Sequence, residues 1–86
     1  MANHRSAKKR IRQTIKRTER NKHIRSTVRS HVKNTRQAIE AGDKAAASAA
    51  LAEAVRRIDM AVSKGIYHRK TGSRYISRLS AQVASL

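Results

Sequence analysis

From Ile24 onward the aliphatic residues recur at helical spacing. At 100° per residue, Ile24, Val28, Val32 and Ile39 fall within an arc of roughly 80°. Leu51, Val55, Ile58 and Val62 form a second stripe, flanked by Ala47 and Ala54, and Ile76, Leu79, Val83 and Leu86 form a third. Three stripes on three helices predict a small all-α bundle. Punctuation agrees with this. There is no proline, and Gly42, Gly65 and Gly72 are the only glycines. Gly42 and Gly65 stand where helices should stop, because glycine takes positive φ without steric cost. Ser6 is expected to cap the first helix and Asp43 the second. The Ala-rich opening of the second, Lys44 to Ala50, favours helix. Gly72, near the start of the third, reads as a weak spot. The predicted helices cover about 6–41, about 44–64 and about 69–85, in a single domain over 1–86.

The first helix is too long for the bundle. Some 36 residues at 1.5 Å each span roughly 54 Å, against ~30 Å for the second helix. About 25 Å of it should project, over roughly 6–22. There Ile11 and Ile15 are the only large apolar residues, and they sit about 100° from the later stripe. Lys8, Lys9, Arg10, Arg12, Lys16, Arg17 and Arg20 point in nearly every direction. A helix charged all round repels itself and has no core to join. This segment is expected to fray alone and to order on a polyanion.

Charge turns that geometry into chemistry. The 86 residues carry 21 Lys+Arg against 5 Asp+Glu, a net charge of +16. Residues 1–36 hold 13 basic residues and one acid, Glu19, while 37–86 hold 8 basic and 4 acidic residues. Such a chain implies a polyanionic partner: RNA, DNA or an anionic membrane surface. The 13 Arg among the basic residues lean toward nucleic acid, since guanidinium binds phosphate bidentately and stacks on bases. Lys22, Arg25, Arg29, Lys33 and Arg36, spaced 3, 4, 4 and 3, form a basic ridge beside the apolar stripe. Lys70, Arg74 and Arg78 give the third helix a second basic face. Two such faces suggest a clamp or spacer between two nucleic-acid segments.

Other chemistries find little support. Zero cysteine excludes disulfides, thiolate metal sites and cysteine nucleophiles. His4, His23, His31 and His68 have no metal-ligand spacing; His68 suits a helix start or a phosphate contact. The acids look structural, with Glu53 placed to pair with Arg56 or Arg57 and Glu19 with Lys22 or His23. No paired carboxylates, phosphate loop or nucleophile signature is present, so no catalytic residue, metal, cofactor or small-molecule substrate is expected. Tyr67 and Tyr75, the only aromatics, suit core packing, a groove rim or a stacked base. No apolar run approaches the ~20 residues of a membrane span. Met1 to Ser6 is basic but no apolar stretch follows, so a signal peptide is not expected. A cationic membrane-surface helix would need the bulky apolar face that 1–22 lacks. A DNA-condensing protein remains open on charge and helicity.

The residues themselves carry a resemblance. Ala2-Asn3-His4-Arg5-Ser6-Ala7-Lys8-Lys9-Arg10 resembles the opening of the bacterial small-subunit ribosomal proteins numbered twenty. The likeness continues through Arg20-Asn21-Lys22, Arg25 to Arg29, Ala38 to Ala46, Lys64-Gly65-Ile66, His68, Arg74, Arg78 and Leu79. It implies a three-helix bundle among ribosomal RNA, binding 16S ribosomal RNA in its 5′ domain and near its 3′ minor domain. It further implies a role in subunit assembly, in the bacterial cytoplasm, with few protein contacts. Carried over by position, Ser6, Lys8, Lys9, Arg10, Arg20, Asn21, Lys22, Arg29, His68, Arg74 and Arg78 become RNA contacts. Arg12, Lys16, Arg17, Arg25, Lys33, Arg36 and Lys70 join them from the charge pattern. The chain departs from the family at Lys70-Thr71-Gly72-Ser73-Arg74, where Asn-x-Ala-Ala-Arg is usual, and at Tyr75 and Ile76, where basic residues are common.

Overall fold

A computed structural model describes the backbone of residues 2–86, with side chains from His4 onward. Met1 and the Ala2 and Asn3 side chains, at the head of the opening motif, lie outside the described residues. The chain folds as α1 (Ala2–Glu40), α2 (Lys44–Ser63) and α3 (Arg69–Ala84), with no strand among the described residues. This is the all-α, three-helix arrangement with a long first helix that the periodicity predicts.

Both turns close by the same chemistry. At the end of α1, Gly42 takes φ +73°. Its N–H donates to the Ile39 carbonyl at 3.0 Å, and the Asp43 N–H donates to the Ala38 carbonyl at 3.2 Å. At the end of α2, Gly65 takes φ +77°. The Gly65 N–H donates to Val62 at 3.0 Å and the Ile66 N–H to Ala61 at 2.9 Å. These are paired Schellman closures, which satisfy carbonyls a helix end would otherwise orphan. Asp43 closes α1 with its backbone and starts α2 with its side chain: Oδ1 accepts from the Ala46 N–H at 3.1 Å. So tight a connection makes α1 and α2 antiparallel neighbours. His68 caps α3, its Nδ1 accepting from the Lys70 N–H at 3.1 Å.

Ser6 caps nothing, contrary to expectation. It lies inside α1, which already runs from Ala2. Nothing before Ser6 breaks a helix, and each added residue closes one more backbone bond. The projecting segment over 6–22 is continuous helix within α1. The hydroxyl of Thr14 adds a bond to the Arg10 carbonyl at 2.8 Å.

The core is small and sits at one end. Val28, Ala54, Ile58, Ala61 and Leu79 form it, with Ile24, Val32, Leu51, Ile66, Tyr67 and Ile76 packed around. Ala47, Ala54 and Ala61 are wholly buried, whereas Leu51, Val55 and Val62 are half-buried. Ala47 and Ala54, expected as flanks, are thus buried more deeply than the stripe they flank, and Ala61 joins them. Small side chains let helix axes come near. Leu86 falls outside α3 and is exposed, so the third stripe ends at Val83. Gly72 is buried, and a Cβ there would lie 2.5 Å from Val62 Cγ2. It is a close-packing residue rather than a weak spot. Thr35, on the apolar arc of α1, is wholly buried; its hydroxyl donates to the His31 carbonyl at 2.9 Å.

The outcome is a rod. Its extents are 63 × 21 × 13 Å and its radius of gyration is 17.5 Å. A compact chain of this length would have a radius near 12 Å. Every residue from His4 to Arg20 is exposed. The projecting arm predicted from helix lengths is present.

Candidate nucleic-acid interface

Two surfaces carry most of the predicted contact residues. The first is the arm, where Ser6, Lys8, Lys9, Arg10, Arg12, Lys16, Arg17 and Arg20 are all exposed. Like-charged pairs at i,i+4, such as Lys8 with Arg12, Arg12 with Lys16 and Lys16 with Arg20, each cost about 0.2–0.5 kcal/mol. A polyanion lying along the arm would relieve that cost.

The second surface is a groove of about 1000 Å³ between α1 and α3. Its α1 wall is Arg25, Arg29, Lys33 and Arg36; its α3 wall includes Arg78. Val28, Val32 and Leu79 contribute apolar lining. The groove follows from topology. α2 packs against both of its neighbours, while α1 and α3 touch each other least. The basic ridge lies beside the apolar stripe of α1, so packing the stripe aims the ridge along the opening.

The contacts group differently from the two separate faces read in the sequence. Arg78 converges with the α1 ridge. Lys70 and Arg74 are exposed but do not line the groove, and Lys22 lies beyond its lining on α1. His68 uses Nδ1 for the α3 cap, which leaves Nε2 for any outside partner. Asn21 is half-buried, and its Oδ1 is enclosed with no hydrogen-bond partner. Tyr67, Tyr75 and Gln82 also line the groove. The groove rim is one of the places the sequence suits for the two tyrosines; for Gln82, the spacing Tyr75, Arg78, Gln82 on one face of α3 is the available signal.

Acids do little to offset these cations. Among the described residues the ion pairs are both made by Glu53 on α2: to Arg57 Nε at 3.2 Å and Arg56 Nη1 at 3.8 Å. Glu19 pairs with neither Lys22 nor His23, contrary to expectation. Glu40 is the one acid that lines the groove. Among the described residues no cluster of three metal-ligating side chains occurs, and no helix is long and apolar enough to cross a membrane.

Fold and charge together define a class: a small all-α polycationic protein, part bundle and part free helical arm. The chain belongs to the family described as Ribosomal protein S20, whose profile matches residues 2–84. It is 56% identical over 86 residues to the small ribosomal subunit protein bS20 of Citrifermentans bemidjiense, covering 100% of this chain and 99% of that one. The protein of the same name from Geotalea uraniireducens gives the same identity and coverage. That of Maricaulis maris is 54% identical over 86 residues, covering 100% of this chain and 98% of its own. The resemblance read from the opening motif is thereby borne out along the chain. The family is one of ribosomal proteins, not of enzymes.

Proposed function

We propose that this protein is a structural constituent of the bacterial small ribosomal subunit that binds 16S ribosomal RNA directly and supports subunit assembly, without catalysis. Its place is the cytoplasm, among RNA, with few protein contacts. The observation that carries the reading is uncompensated charge on an extended shape. Residues 1–36 hold 13 basic residues against one acid, on a rod 63 Å long. Family membership supports the same reading.

The mechanism is charge neutralisation by a shaped body. The arm lies between RNA helices and screens phosphates that repel one another. The bundle fixes its angle, and the groove grips a second stretch of backbone. On this reading the RNA engaged lies in the 5′ domain and near the 3′ minor domain, as the family resemblance implies. Because the protein binds the assembled arrangement of the RNA better than the alternatives, it biases the RNA toward that geometry.

The test is binding of the full chain to 5′-domain 16S RNA and to duplex DNA of equal length across a salt series. Contacts to 6–10 phosphates lower affinity by about 10³–10⁵ between 50 and 200 mM salt. The expected result is a marked RNA preference that persists at 150 mM. Equal affinities that fall together would overturn the reading and leave only non-specific polyanion binding.

A further inference from the structure

The groove between α1 and α3 holds more than cations. Tyr75 stands in it with 38% of its surface exposed. Its ring meets that of Tyr67 edge to face, with centroids 5.9 Å apart and planes at 84°. Tyr67 is half-buried and packed against the core, so it braces Tyr75 from one side. The brace and the helical backbone hold the Tyr75 ring while leaving part of it open. Arg78, one turn further along α3, lines the same groove as Arg29 and Lys33 opposite.

A surface that only neutralised phosphate would need cations alone. A groove for a protein helix would need a markedly acidic partner to match five cations around its apolar lining. An aromatic ring at the rim, apolar lining and cationic walls together match the parts of a nucleotide: a base with a π-face and a phosphate. The volume, about 1000 Å³, is at the upper end of pockets that take small ligands, ~300–1,000 Å³.

We propose that Tyr75 stacks an unpaired RNA base, with the adjoining phosphate held by Arg78 and the α1 ridge. The inference rests on the RNA-binding reading and adds to it selectivity for an unstacked nucleotide. Paired bases inside a helix present no free face to stack.

The chain has no Trp and two Tyr, so its intrinsic emission comes from Tyr67 and Tyr75 alone. The full chain is titrated with an RNA duplex carrying a two-nucleotide bulge and with a fully paired duplex of equal phosphate count. The bulged RNA is expected to quench tyrosine emission more strongly and to bind more tightly. Y75L should lose roughly 5- to 150-fold in affinity for the bulged RNA, the range for one stacked base, with an unchanged salt slope. Y75F should bind within about twofold of the parent, because the stacking face is kept. R78Q should instead lower the salt slope by about one. Circular dichroism reports whether each variant folds. If Y75L does not fold, the contrast in quenching between the two RNAs still decides.

Indifference of both the parent and Y75L to the bulge would overturn the stacking proposal while leaving RNA binding intact. Failure of both RNAs to bind at 150 mM salt would overturn the RNA reading itself. Equal quenching by a poly-glutamate peptide would reassign the groove to an acidic protein segment and overturn the proposal.

Discussion

Replacing Gly72 by alanine sets two known effects against each other. Alanine favours helix by up to ~1 kcal/mol over glycine. Sequence propensity alone therefore predicts that G72A stabilises α3. In the structure, however, the new Cβ would lie 2.5 Å from Val62 Cγ2 and 3.4 Å from Ile58 Cγ2. Val62 is β-branched and strongly prefers one χ1 rotamer in a helix, so its methyl is not a flexible end. Ile58 is fully buried and cannot retreat. Relief requires α3 to move away from α2, at about 1–3 kcal/mol for overpacking. The clash wins, and G72A should lose about 1 kcal/mol, lowering Tm by roughly 4–8 °C in a domain this small. V62A alone loses two half-buried carbons, about 1 kcal/mol. In that background the space is open, and G72A should become stabilising. The coupling between the two sites is then about 2 kcal/mol, well above the ~0.5 kcal/mol of independent sites. Urea and thermal melts followed at 222 nm, in salt high enough to screen the arm, measure all four corners. A G72A that raises Tm equally in both backgrounds would refute the close approach and restore Gly72 as a simple helix defect.

Three further outcomes are expected. D43A should cost about 1 kcal/mol by removing the α2 cap, whereas D43N should stay within a few tenths, since its amide oxygen can take the same bond; chemical melts of the pair check this. N21L should raise stability by about 1 kcal/mol, because an enclosed acceptor without a partner is replaced by an apolar side chain of similar size; an unchanged or lowered Tm would show that Asn21 Oδ1 is satisfied in solution. The double variant I11Q/I15Q should melt within about 0.5 kcal/mol of the parent, as these side chains are 59% and 53% exposed; a larger loss would mean the arm folds back onto the bundle.

The helices were legible because their signals are local. A stripe such as Ile24, Val28 and Val32 needs only the 3.6-residue period. Gly42 and Gly65 mark turns because positive φ is a property of one residue. The arm followed from arithmetic, since α1 is far longer than α2 and its first half carries no apolar stripe. The polycationic character needed only a count. The start of α1 was misread at Ser6, where a good capping residue had nothing before it to stop the helix.

What the sequence left undecided is what depends on the distance between helices. Gly72 looked like a defect until Val62 was seen across the α2–α3 contact. Ala47 and Ala54 read as flanks that would let α2 approach its neighbours, but that Ala61 joins them in full burial while Leu51, Val55 and Val62 stay half-buried depends on α1 and α3 pressing on both sides of α2. Arg78 was assigned to a separate face because periodicity orders residues around one helix and says nothing of the next. Only the crossing of the helices brings Arg78, Tyr75 and Tyr67 into one groove with Arg25, Arg29, Lys33 and Arg36. Local chemistry determines the helices, the turns and the charge; the packing of α2 between its neighbours decides which of those charges share a site.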